Sequence, residues 1–176
     1  VLEPDGVDRV IAAKADDEFR FQAIRALAEA KGMGAAAVTL RNLLHDTDPR
    51  VQIAAYEALV KRGDPTIESA PIAGDNFVLD HIRDAPSNFV YVKRTGSRRI
   101  ALFGDDLRCS PPVLYRAPDG SVTINANAGE EALTVLRSVV ASGSTSGPIP
   151  ASLELRSLIR LLGNDAGVAP GGEAVG

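Results

Sequence analysis

Few side chains in this chain of 176 residues combine the types and the spacing that chemistry requires. Cys109 follows Arg108, which could lower the pKa of the thiol, but no histidine lies near it in sequence to act as a base. His81 follows Asp80 in a predicted strand, where successive side chains point to opposite faces, so the two cannot act together. The sequence therefore favours a protein that is not an enzyme, and an enzyme that uses Cys109 or His81 ranks third among the functions considered.

The other candidate groups favour structural roles. His45 ends a predicted helix, where its side chain can bind the last carbonyl groups. Asp105 and Asp106 share a turn with no third ligand nearby, and a single cysteine leaves too few thiols for a thiolate zinc site. Gly32 and Gly34 open a helix as phosphate-binding loops do, but they follow a helix rather than a strand. We therefore expect neither a metal nor a cofactor.

Four cations cluster at the tip of a predicted hairpin, with no acidic residue between them: Lys93, Arg94, Arg98 and Arg99. Such a tip could bind phosphates, an anionic polysaccharide or an acidic partner. Charges at an exposed hairpin also prevent its strand edges from pairing with other chains, and we favour this structural role for the four cations. A net charge of −4 and a pI near 5.2 make nucleic acid an unlikely partner, so an anion or nucleic-acid adaptor ranks second.

Residues 16–27 and 48–59 share a pattern: both begin with Asp, both end in Ala-Leu, and apolar residues match between these ends, as at Phe19 and Val51. A repeat of this period is typical of a stacked helical array, in which each helical pair buries its apolar face against its neighbours. We expect Asp48 to be an N-cap, with Pro49 at the first helical position. Four helices are predicted, at residues 5–15, 17–31, 35–45 and 48–62.

The repeat stops at Pro65, where the expected return helix is missing. The segments that follow should therefore cover the open end of the array. Residues 132–140 fit both a helix and a strand, and their β-branched side chains favour a strand. A helix at 153–162 should close the core. Four or five antiparallel strands are predicted from β-branched and aromatic runs separated by turns, at residues 77–82, 89–92, 100–103, 113–115 and 121–124.

The sequence thus predicts an α+β fold in which antiparallel helices pack on a small antiparallel sheet with a C-terminal helix. The domains would be helical repeats at 1–65, a β domain with its closing helix at 66–164 and a mobile tail at 165–176. No apolar run reaches the roughly 18 residues of a membrane span. The chain starts at Val1 without an initiator Met, which indicates part of a longer chain.

The helical part resembles the HEAT-like repeat family, including the short-repeat version typified by bilin-lyase-type proteins. The resemblance covers about the first third of the chain and implies a surface for protein partners, while it says little about chemistry. The family places Arg where this chain has Gln52, and Arg20 holds the equivalent earlier position, which puts the family's Arg ladder in doubt. The matching residues are Asp48-Pro49-Arg50-Val51, Ala54-Ala55, Ala58-Leu59 and Gly63-Asp64.

The β region resembles the C-terminal extension of certain long flagellar P-ring proteins, through residues 99–107, 111–115 and 120–126. This resemblance implies a periplasmic, non-catalytic part of the flagellar basal body, and without it we expect a cytoplasmic protein. The sequence as a whole predicts a non-catalytic interaction or scaffold module of a larger assembly. Its partners would be proteins, since no small-molecule substrate is evident.

Overall fold

The computed structural model describes residues 17–30, 34–72, 76–139 and 144–164. By its internal contacts the chain divides into two compact units, one made of Val1–Ala70 and Val78–Asp105 and the other of Pro71–Phe77 and Asp106–Gly176. Contacts within the folded chain do not show which segments fold independently. The domain boundaries predicted at residues 65 and 164 therefore stay a prediction. The helix expected at 5–15 and the tail expected at 165–176 lie outside the described residues.

Three helices open the first unit: α1 (Asp17–Glu29), α2 (Ala35–Leu43) and α3 (Pro49–Arg62). Each of them packs against the other two. The N-cap of α3 is confirmed, because the Asp48 side chain accepts the backbone N–H of Arg50 at 2.9 Å and Pro49 follows it. The helix ends at Gly63, whose φ of 65° suits a residue without a Cβ. The predicted helical array is confirmed over the described residues.

A four-stranded sheet follows the helices, with β1 (Glu68–Ile72), β2 (Phe77–Ile82), β3 (Phe89–Lys93) and β4 (Arg99–Phe103) in the order β1-β2-β4-β3. Its residues belong to the first unit, except Pro71, Ile72 and Phe77. β3 and β4 form an antiparallel hairpin, whereas β2 and β4 pair in parallel. The expectation of purely antiparallel strands is wrong here, because the chain crosses from β2 to the edge strand β3 and returns beside β2 in the same direction. β1 was not predicted, since it contains Pro71, which only an edge strand tolerates.

The sheet covers α3 on the side where the array lacks its return helix. Tyr56 of α3 is fully buried, and its ring lies edge-on to Phe103 and Tyr91, with centroids 5.8 and 6.1 Å apart. Leu59 of the same helix is also fully buried, and Ile82 joins this core from β2. The prediction that the segments after residue 65 cap the array is therefore confirmed within the first unit.

The second unit is an antiparallel sheet with one helix. Its elements are β5 (Val113–Arg116), β6 (Val122–Ala126), β7 (Ala132–Val139), β8 (Ser144–Thr145), β9 (Ile149–Ser152) and α4 (Leu155–Asn164). β7 pairs with β6 on one side and with β8 and β9 on the other. Leu133, Val135 and Leu158 lie in its core. The strand expected at 132–140 is confirmed over 132–139, and residue 140 lies outside the described residues. The α+β class is confirmed as well, although the strands form two sheets rather than one.

Candidate interaction site

The basic cluster lies on the β3–β4 hairpin, as predicted. Lys93 and Arg99 are cross-strand partners at the end of the ladder, and Arg94 and Arg98 lie in the exposed turn between the strands. Gly96 allows this turn to close, since its φ is 67°. What the four cations bind is not tested by this placement, so their role stays a prediction.

Lys93 is held against helix α3 rather than projecting from the tip. Its Nζ donates to Oε1 of Glu57 at 2.9 Å, and the hydroxyl of Tyr91 donates to the same oxygen at 2.9 Å. Burial raises the pKa of Tyr91, and the bond to Glu57 raises it further. The tyrosine hydroxyl therefore stays protonated and donates to Glu57, which in turn fixes the position of Lys93.

Arg99 forms an ion pair with a fully buried carboxylate. Its Nη1 donates to both oxygens of Asp80, at 2.9 and 2.7 Å, and Asp80 also accepts from the hydroxyls of Tyr56 and Ser69, each at 2.5 Å. Burial lowers the pKa of Arg99, but its bonds with Asp80 outweigh burial and raise it. Burial and the bond to Asp80 raise the pKa of Tyr56. These contacts join α3, β1, β2 and β4.

A cavity of about 360 Å³ lies between the helices and this hairpin. Its lining includes three cations, one carboxylate and small apolar side chains: Lys61, Lys93, Arg99, Glu57, Ala58 and Val60. A second cavity, of about 270 Å³, also includes Arg99 in its lining, together with Asp64 and Ser69. Arg94 and Arg98 are not among the described residues that line either cavity. The structure therefore divides the predicted cluster into two cavity residues and two turn residues.

Both histidines are bound to backbone carbonyls. Nε2 of His81 lies 3.0 Å from the Gly104 carbonyl oxygen, and Asp80, its neighbour in sequence, contacts α3 from the other face of β2. The prediction that these two side chains point to opposite faces of the strand is confirmed. His45 was expected to bind the end of its own helix, and this is wrong: α2 stops at Leu43, and Nδ1 of His45 lies 3.0 Å from the carbonyl oxygen of Asp84.

Of the remaining candidates, Asp105 lies near His81, with 3.7 Å between its Oδ1 and Nε2 of the histidine, whereas Asp106 and Cys109 belong to the second unit. Cys109 is half-buried rather than fully buried, and it packs against the core of the second unit. Asp105 and Asp106 are exposed, and Asp105 accepts the backbone N–H of Asp84 at 3.0 Å. Within the part of the chain that the structure describes, no group of three or more His, Cys, Asp or Glu side chains could hold a metal. None of the described helices is both long enough and apolar enough to cross a membrane.

The equivalent positions of the two repeats bind the same loop residue. Nη2 of Arg20 donates to the Asp46 carboxylate at 2.7 Å, and Nε2 of the fully buried Gln52 donates to the Asp46 carbonyl oxygen at 2.5 Å. Asp46 lies between α2 and α3. The replacement of the family's Arg by Gln52 therefore keeps a side-chain contact between the repeats, although it is a neutral one.

Comparison with known proteins agrees with this architecture. Residues 9–73 match the family model of HEAT repeats, a class that generally mediates protein–protein interaction or scaffolding. No curated protein and no solved structure matches the chain. The resemblance of the β region to flagellar P-ring proteins, and the periplasmic location that it implies, receive no support from these comparisons. The helical part of the chain is thus similar to HEAT repeats over residues 9–73.

Proposed function

We propose that this chain is a non-catalytic module that binds a protein partner through its helical array and the sheet that caps it. The observation that carries the proposal is the match of residues 9–73 with HEAT repeats, which covers the described helices α1, α2 and α3. Repeat arrays of this kind use extended surfaces for binding. The partner is therefore expected to contact outward-facing positions of these helices.

The outward faces of the first two helices suit such contact. On α1 the exposed positions Gln22, Arg25, Ala26 and Glu29 are three or four residues apart or adjacent, so they share one face. On α2 Val38 is 53% exposed, so the outward face of this helix includes an apolar position. An apolar position surrounded by polar side chains is compatible with the apolar centre and polar rim of a protein interface.

The residues that could perform chemistry are engaged in structural contacts, which supports a module without catalysis. Tyr56, Asp80 and Arg99 bind one another, and the net charge of −4 weighs against a nucleic-acid adaptor. A Cys109→Ser variant separates the module from the enzyme alternative. We expect this variant to fold and to keep the cellular function, and a folded variant that loses the function would favour the enzyme.

Site-specific photo-crosslinking tests the proposal directly. A photoreactive amino acid is placed at Val38 in the full chain, and a matched control is placed at the exposed turn residue Asp119 of the second unit. We expect the Val38 position to crosslink one recurring partner in the cells that produce the protein, identified by mass spectrometry. The control position should not crosslink this partner. If no position on α1 or α2 gives a recurring crosslink, the proposal is wrong.

A further inference from the structure

The cavity beside the β3–β4 hairpin has features of a site for a negatively charged ligand. Three cations line it, at Lys61, Lys93 and Arg99, against the single carboxylate of Glu57. Each of these cations has a carboxylate partner, but Glu29 and Asp80, the partners of Lys61 and Arg99, are not among the described residues that line the cavity. Ala58 and Val60 add an apolar part to the lining. A ligand that combines negative charge with apolar groups would match both parts.

The cations are held in place but keep donors for a ligand. Both contacts of Arg99 with Asp80 use one nitrogen, Nη1, so they leave the N–H groups of Nε and Nη2 for a second acceptor. Lys93 is fixed by Glu57. Lys61 pairs with Glu29, and these two side chains are 60% and 68% exposed, so water already screens that pair. A ligand carboxylate can therefore join this set of donors without the loss of a buried contact.

Arginine and lysine side chains arranged in this way bind carboxylates well. The planar guanidinium of Arg99 can donate two parallel hydrogen bonds to one carboxylate, and an ammonium group adds a point charge beside it. A volume of about 360 Å³ is at the lower end of the range for ligand pockets, so it suits one or two side chains of a peptide. None of the described lining residues is aromatic, which gives nucleic-acid bases no stacking surface.

We propose that this cavity binds an acidic peptide segment of the partner protein. A carboxylate of the segment lies against Arg99 and Lys93, and a neighbouring apolar side chain covers Ala58 and Val60. The inference rests on the proposed function, since it names the chemistry of the partner. It also gives a role to two of the four cations predicted as a binding site, while Arg94 and Arg98 lie outside the cavity.

The test uses a fluorescein-labelled peptide of alternating Glu and Leu residues, and a second peptide with Gln in place of each Glu. Fluorescence anisotropy with the full chain measures their affinity. The cavity variant combines Lys61→Gln with Lys93→Gln, and the matched control combines Arg94→Gln with Arg98→Gln, which removes the same charge from the hairpin turn. We expect about tenfold weaker binding of the Glu peptide in the cavity variant and less than about twofold in the control.

A third variant, Ser97→Phe, obstructs the cavity without changing any charge, and it should weaken binding to the same extent. Thermal melting confirms that each variant is folded. Equal weakening by the cavity and control variants would overturn the proposal, as would tighter binding of a 12-nucleotide single strand than of the Glu peptide. If the Glu peptide fails to bind while the crosslinks at Val38 persist, the cavity proposal is wrong and the proposed function stands. If the crosslinks also vanish, both are wrong.

Discussion

Replacing Asp80 by Asn should destabilise the first unit more than any exposed substitution. Asp80 is fully buried and accepts hydrogen bonds from Tyr56, Ser69 and Arg99. Asparagine keeps the shape but loses the charge, and its amide donor would face groups that are themselves donors. Removing one partner of a buried ion pair costs about 3 to 5 kcal/mol, because the other charge stays buried without compensation.

The loss of unfolding free energy expected for Asp80→Asn lies at the lower end of the range for buried ion pairs. The Arg99 side chain is 19% exposed, so water can solvate part of the charge that Asp80→Asn leaves behind. We therefore expect about 3 kcal/mol for Asp80→Asn. Tyr56→Phe removes a single hydrogen bond to a charged group and keeps the ring contacts, so it should cost about 1.5 to 3 kcal/mol. An exposed control, Asp106→Asn, should change stability by less than about 0.5 kcal/mol.

Urea unfolding at pH 7, followed by circular dichroism, gives the free energy of unfolding of each variant. The free energy of unfolding should fall with urea concentration at the same slope in every variant, so that the unfolding midpoints can be compared. The order of destabilisation is the critical result: Asp80→Asn first, Tyr56→Phe second and Asp106→Asn last. If Asp80→Asn and Asp106→Asn gave equal midpoints, the buried ion pair would not contribute as argued.

Three further substitutions test the packing, the helix end and the charges of the first unit. Leu59→Ala should lower the free energy of unfolding by about 2 to 5 kcal/mol, since the side chain is fully buried, and a melting temperature within a degree or two of the parent would contradict this. Gly63→Ala should cost about 1 to 2 kcal/mol through backbone strain alone, because φ is 65° and the space around a Cβ is empty, and a neutral result in urea would refute it. Burial opposes the charge of Asp64, but bonds from Arg41 and Thr66 hold its pKa below the ordinary value. The stability that this carboxylate adds is therefore present above the ordinary aspartate pKa of about 3.9 and is lost as the pH falls through the lowered pKa, so the difference between Asp64→Asn and the parent should be largest at pH 7 and should shrink as the pH is lowered through this range in urea titrations.

The elements with explicit local signals were predictable from the sequence. Asp48 and Pro49 mark the start of α3, and Gly63 marks its end, because capping depends on residues adjacent in the chain. The strands were found from β-branched runs. Their arrangement was not, because side-chain alternation is the same in parallel and antiparallel strands, so the parallel pairing of β2 with β4 leaves no mark on either strand.

The candidate site, too, was predictable only where its signal is local in the sequence. The four cations of the hairpin tip were visible as a run in the sequence. The carboxylates that bind two of them are distant in sequence, since Glu57 is 36 positions from Lys93 and Asp80 is 19 positions from Arg99. A single aspartate in an apolar strand was a usable signal for Asp80, because a buried carboxylate requires a partner of opposite charge. The cavity depends on how α3 meets the hairpin, which no local pattern encodes.

The capping sheet makes the array extensible in one direction only. Since β1–β4 occupy the side of α3 where a further helix would pack, a new repeat cannot be added after α3 without displacing the sheet. A duplicated copy of residues 16–47 placed before Asp48 would instead meet the same kind of neighbour on both sides, because residues 16–27 and 48–59 share one pattern of apolar positions. The chain is therefore a starting point for engineered solenoids of graded length that share one β-structured terminus.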